Sequence, residues 1–324
     1  MLQTEMELPY NLVLKKTEQE WSLKWFNFIL NSENSLYWSG ISCNKIITWD
    51  IIQENPDHPW DWGGISCNPN ITWDIIQSNP DKPWVWYLIG LNQNITWDTI
   101  QANPDKDWNW YWISLNPNIT WDIIQSNPDK DWNWYLISCN KNITWDIIQA
   151  NPDKPWDCIG INKNPNITWK IIQENPYKYW DFTLLSKHPN ITLDIIQANP
   201  NKPWSWSYVG GNPNITWDFI QSNPDKPWNW NLISSNPNIT FDIIQENSDK
   251  PWNWHWIIVN HMTKGRSDFT RTRLQQWFSK SSLKEELMAK IWHPRNLHKF
   301  KDFDPETFGG FYDDEDSVFT PLDI

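Results

Sequence analysis

A threonine recurs through this chain at a fixed interval: Thr48, Thr72, Thr96, Thr120, Thr144, Thr168, Thr192, Thr216 and Thr240 are each 24 residues apart, with no insertion or deletion. Nine units follow, spanning residues 39–260, and a worn tenth precedes them, keeping Trp25, Asn31, Trp38 and Ile41 in phase. The Ile before each Thr, the second Ile of the following pair, the Gln after it, the Asn two residues on and a later Trp never change from unit to unit. A period without drift means that every unit packs on its neighbours in one repeated geometry. A single catalytic site does not need nine near-copies; a surface or a spacer does.

Residues 116–140, beginning "NPNITWDIIQSNPDKDW", serve as the example. Thr120 has the position of a helix N-cap, its hydroxyl accepting a first-turn N–H. Trp121, Asp122, Ile123 and Ile124 then open a helix, with Asp122 at the positive end of its dipole. Ile119 and Ile124 form a hydrophobic staple across the cap. Asn127-Pro128 stops the helix. Asp129 is expected to cap a second helix carrying Trp132, Trp134, Leu136, Ile137 and Cys139. At the position of residue 131, Pro83 and Pro227 are tolerated as first-turn residues. Helices this short are unstable alone, so stacking must supply the stability. The Trp side chains fill space between helices, and the repeated Asn and Gln are plausible acceptors for their indole N–H groups. A β-solenoid with Asn ladders is the alternative, disfavoured by the caps and the Pro breaks. The expected fold is all-α: an α-solenoid of nine units plus the degenerate one, each of two short helices. Stacked at about 8–10 Å per unit, it should extend about 70–90 Å as a curved rod.

Charge divides the chain further. Residues 39–254 hold 13 Lys, no Arg and 23 acids, while the whole chain carries −13. All four arginines (Arg266, Arg271, Arg273, Arg295) lie beyond the repeats. The expected organisation is an N-terminal cap with the degenerate repeat (1–38), the repeats (39–260), a basic helical C-terminal cap covering the last repeat (261–301) and an acidic disordered tail (302–324). No signal peptide or membrane span is evident, so an intracellular, non-secreted protein that does not enter a membrane is expected.

The stretch "NQNITWDTIQANPDKDWNW" and its neighbours are rewritten with small changes along residues 39 to about 260. In phase, caps and Trp positions they resemble the Trp-rich repeat proteins found in many copies in giant DNA viruses of amoebae. The end "SSLKEELMAKIWHPRNLHKFKDFDPETFG" resembles the C-terminal segment of the same family. The resemblance implies a viral protein acting in the infected host cell, in cytoplasm, viral factory or virion, and carries no catalytic or binding residue with it. Departures from the pattern are Leu193, Phe241, Cys158 and Phe182 for Trp, Lys170 for Asp, and Ser248 for Pro. They suggest local loosening.

Other features are weighed against structural roles. "NIT" is an N-glycosylation sequon at Asn70, Asn94, Asn118, Asn142, Asn166, Asn190, Asn214 and Asn238, but the threonine is already explained as a cap. Exposed Trp could stack sugars or single-stranded nucleic acid, yet an acidic array without Arg lacks the cations of a phosphate track. Cys43, Cys67, Cys139 and Cys158 lack metal-ligand spacing, and His293 and His298 lack companion ligands. No phosphate loop, nucleophile motif or carboxylate pair appears. No catalytic, cofactor-binding or metal-binding residue is therefore expected, and no cofactor. The favoured reading is a non-enzymatic scaffold for protein–protein interaction; the other is a structural or virion-associated spacer. The partner, the binding residues and the oligomeric state are not readable at this level.

Overall fold

The computed structural model describes residues 10–32 and 37–280. Among them every regular element is a helix and no strand occurs. They fall into two compact units: the described residues of 32–262, and residues 10–31 together with 263–280.

The 32–262 unit opens with α2 (Trp38–Cys43), following α1 (Tyr10–Leu30) of the other unit. Helix pairs then repeat: α3 (Trp49–Glu54) with α4 (Trp62–Cys67), α5 (Trp73–Ser78) with α6 (Trp86–Ile89), and α7 (Trp97–Ala102) with α8 (Trp110–Ile113). Next come α9 (Trp121–Ser126) with α10 (Trp134–Cys139), α11 (Trp145–Ala150) with α12 (Cys158–Lys163), and α13 (Trp169–Glu174) with α14 (Phe182–Ser186). The series ends with α15 (Leu193–Ala198) and α16 (Trp206–Val209), α17 (Trp217–Ser222) and α18 (Trp230–Ser234), and α19 (Phe241–Glu246) and α20 (Trp254–Val259). The all-α repeat solenoid expected from the sequence is what forms.

Each first helix starts where its threonine predicts. All nine threonine hydroxyls accept the N–H three residues on, at 3.2–3.4 Å. Ile119 and Ile124 are both buried and Asp122 is exposed in the first turn. The second helix starts later than expected. Its N-cap is Asn133, whose side chain accepts from the Leu136 N–H at 2.9 Å, and not Asp129. Asp129 instead lies in an exposed turn and pairs with Lys130 at 3.2 Å. The segment from there to Asn133 is non-helical, so residue 131 is not a first-turn position and its Pro counterparts need no helical tolerance. The second helix is therefore shorter than the pattern suggests.

What holds neighbouring units together is a buried amide ladder. Asn68 Nδ2 donates to the carbonyls of Ser42, Asn44 and Ile47 at 2.9, 3.0 and 3.1 Å. Asn92, Asn116, Asn140, Asn164, Asn212, Asn236 and Asn260 repeat this donation to the residues 26 and 24 places earlier. Each side-chain oxygen accepts an N–H two residues on, as Asn140 does from Asn142 at 2.9 Å. These side chains are buried, so each amide exchanges water for protein partners on both its ends, as a buried polar group must.

The ladder returns to its start. Asn44 donates to the carbonyls of Ile258 at 2.7 Å and Asn260 at 3.4 Å. Those two carbonyls are the counterparts, counted round a circle of ten ladder positions, of the acceptors used by every other Asn. Helix α2 packs on α20 as α4 packs on α2. The array is thus closed, and the open rod expected from the repeat is not formed. Helix α2 takes the place against α20 that a further second helix would occupy.

The other unit pairs α1 with α21 (Thr263–Lys280). Trp21 meets Phe269 at 5.6 Å, and Arg266 and Arg273 reach Glu18 and Glu20 at 2.9 and 2.8 Å. The worn repeat is split accordingly: Trp25–Leu30, in phase with a first helix, forms the end of α1, while Trp38–Cys43 joins the closed array. Of the basic 261–301 segment only residues up to 280 are described; the remainder, the 302–324 tail, His293 and His298 lie outside the described residues.

Candidate interaction surface

Most polar repeat residues turn out to be structural. The sequon asparagines donate to the preceding unit: Asn118 Nδ2 reaches the carbonyls of Gln93 at 2.6 Å and Ile95 at 3.1 Å, and the other seven do the same. The amide nitrogen that a glycan would use is committed to the frame. The indole N–H groups of Trp60, Trp84, Trp108, Trp132, Trp156, Trp180, Trp204, Trp228 and Trp252 donate at 2.7–2.9 Å to the carbonyl of the Asn five residues earlier. The acceptor is the main chain of the asparagine, not its side chain, which is itself occupied capping the first helix.

Burial shifts the titration of three thiols and one imidazole. Burial pushes the Cys43 thiol up to about 11 and the Cys67 and Cys139 thiols up to about 12, so they stay protonated and unreactive. Cys158 is exposed. His188 replaces the ladder asparagine, its Nε2 contacting the Asn164 carbonyl at 2.9 Å and its Nδ1 accepting from the Asn190 N–H at 3.2 Å. Those partners require a neutral ring with the proton on Nε2, and burial lowers its pKa below the ordinary 6.5.

Against this uniform frame one surface position varies in an ordered way. The second residue of the second helix is Tyr87, Tyr111, Tyr135 and Ile159 in four successive units, and Gly63, Thr183, Ser207, Asn231 and His255 elsewhere. Tyr87, Tyr111 and Ile159 are 48%, 41% and 50% exposed, and Tyr177 and Tyr179, just beyond, are 76% and 68% exposed. One arc of the closed array therefore carries large aromatic or aliphatic side chains where the other units carry Gly or polar residues. The sequence reading missed this, since it followed invariant positions; the signal lay in the order of the variable ones.

Within the arc lies a shallow recess of about 390 Å³, lined by Trp108, Asn109, Trp110, Tyr111, Asp131, Trp132 and Asn133. Trp110 and Trp132 meet edge-on at 5.2 Å, and Lys130 sits 5.4 Å above Trp110. Asp107 and Asp131 are exposed and occupy a position that is Pro or Tyr in the other seven units. Comparison with known protein families, characterised proteins and solved structures finds no match. Among the described residues, no group of His, Cys, Asp and Glu is arranged to hold a metal ion, and no helix is long and apolar enough to cross a membrane.

Proposed function

We propose that this chain is a scaffold for protein–protein interaction whose contact surface is the aromatic arc from Tyr87 to Tyr179. The carrying observation is the contrast between a frame repeated unit by unit and one position that holds Tyr or Ile over four consecutive units, exposed in three and half-buried at Tyr135, and small or polar residues in the others. A frame residue must repeat to keep the ladder in register; a contact residue need not. Large exposed apolar side chains grouped on one face mark an interaction site better than scattered ones do, and tyrosine supplies contact area with little loss of side-chain freedom. The open, shallow relief of the recess suits a protein surface better than an enclosed small substrate. We further propose, from the resemblance of the repeats to those of giant amoebal viruses, that this action takes place in an infected host cell.

Affinity capture tests the proposal by comparing the native chain with one carrying Tyr87→Ser and Tyr111→Ser, the residue already present at Ser207. A stoichiometric partner held by the native chain and lost by the double variant is the expected result. A partner retained equally by both would place the contact elsewhere, and no partner at all would favour a spacer.

A further inference from the structure

We propose that the arc recognises a basic segment of its partner, an extended stretch with two cationic side chains about three residues apart; this rests on the scaffold reading above. Two adjacent junctions between units carry the same combination. One brings together Trp108, Trp110, Tyr111, Asp131 and Trp132. One unit earlier the corresponding residues are Trp84, Trp86, Tyr87, Asp107 and Trp108. At the next junction the acid is replaced by Pro155, and at the others the tyrosine, the acid or both are missing.

An exposed carboxylate beside indole and phenol rings is the chemistry that binds a guanidinium or ammonium group, through ion pairing at the acid and attraction to the ring faces. The repeat's indoles bind the chain's own cations, with Lys106 4.9 Å over Trp86, Lys130 5.4 Å over Trp110 and, outside the arc, Lys226 4.2 Å over Trp206, so what sets the arc apart is the tyrosine and the carboxylate beside them. Charge is complementary over the wider surface. From Asp81 to Asp157 there are ten acids against five lysines, whereas from Cys158 to Lys187 there are four lysines against two acids. Adjacent stacked units are spaced by about 8–10 Å, a distance that three residues of extended chain span.

The loop tolerates the needed change. The Trp132 N–H bonds to the Lys130 carbonyl at 2.7 Å, and Trp84, Trp156 and Trp228, each preceded by proline, make the same bond at 2.8 Å. The backbone hydrogen bond of the following Trp is therefore kept in Asp131→Pro and Asp107→Pro.

The test is fluorescence anisotropy at physiological ionic strength with a labelled peptide, Gly-Ser-Arg-Gly-Ser-Arg-Gly-Ser, titrated with the full chain. Asp107→Pro with Asp131→Pro, and separately Tyr87→Ser with Tyr111→Ser, should each weaken binding by about tenfold, as expected for loss of ion-pair or cation–aromatic contacts. Asp225→Asn with Asp249→Asn removes the same charge outside the arc and uses the residue found at Asn201, so affinity should not change. Equal weakening in all three double variants, or no binding by the native chain, would overturn the proposal. If partner capture is still lost in the tyrosine variant while the peptide fails to bind, the scaffold reading survives and only the cationic partner is wrong.

Discussion

Asn118 and Asn140 look alike in the sequence, as polar loop residues between helices, yet each fastens one unit to the one before. Their role was not readable because a side-chain amide bonded to a main chain two dozen residues away leaves no local signature; the same letters spell turns and sequons. Asn140 donates to the carbonyls of Ser114 and Asn116 in a buried setting. Asn140→Ala strands both acceptors, so a loss of roughly 2–4 kcal/mol is expected from unsatisfied buried groups, checked by the denaturation midpoint. His188 carries a pH dependence. Its folded-state pKa is depressed, so its contribution is complete above the ordinary imidazole value of 6.5 and declines as pH falls from there toward the lowered value, where the unfolded chain takes up a proton that the native ring refuses. His188→Asn restores the ladder amide and should abolish that part of the decline; an unchanged pH profile would show that the ring is not the group responsible. Alkylation of the native protein should modify Cys158 well before Cys43, Cys67 or Cys139, as mass spectrometry of digested peptides would report.

At the scale of elements, the first helix was legible almost entirely. A threonine cap, a staple of two isoleucines and an Asn-Pro stop are all local signals, and the helix formed between them. The second helix was read too long because Asp129, followed by proline in related units, has the pattern of a cap; the exposed turn wins, and Asn133 does the capping. Thr120→Val preserves shape and removes the hydroxyl acceptor for the Ile123 N–H, so a cost of about 1 kcal/mol is expected in thermal or chemical denaturation. Glycine shows where second helices approach most closely. A Cβ on Gly160 would lie 2.5 Å from the Tyr135 carbonyl oxygen and 2.7 Å from the Ser138 Cβ. Gly160→Ala must push α12 away from α10, at a cost of about 1–3 kcal/mol typical of overpacking; a midpoint equal to that of the native protein would mean that the two helices separate freely.

For the array as a whole, the period told the number of units but not the angle between them. Curvature depends on the few degrees by which each interface is rotated, and no residue pattern encodes that separately from the packing itself. Closure is therefore what the repeat could not reveal, and the aromatic arc gains its meaning from it, since on a closed frame only side-chain chemistry distinguishes one sector from another. Gln53, Gln101 and Gln245 are exposed at one repeat position, on α3, α7 and α19. On a circle of ten positions, α19 is two steps from α3, as α7 is. Spin labels at Gln53→Cys with Gln245→Cys, and at Gln53→Cys with Gln101→Cys, in a Cys158→Ser background, convert this into two distances measured by pulsed electron resonance. The closed array predicts that the two distributions coincide to within the reach of the labels, whereas an open rod would separate Gln53 from Gln245 by eight steps, about 65–80 Å at 8–10 Å each, and that result would contradict the account.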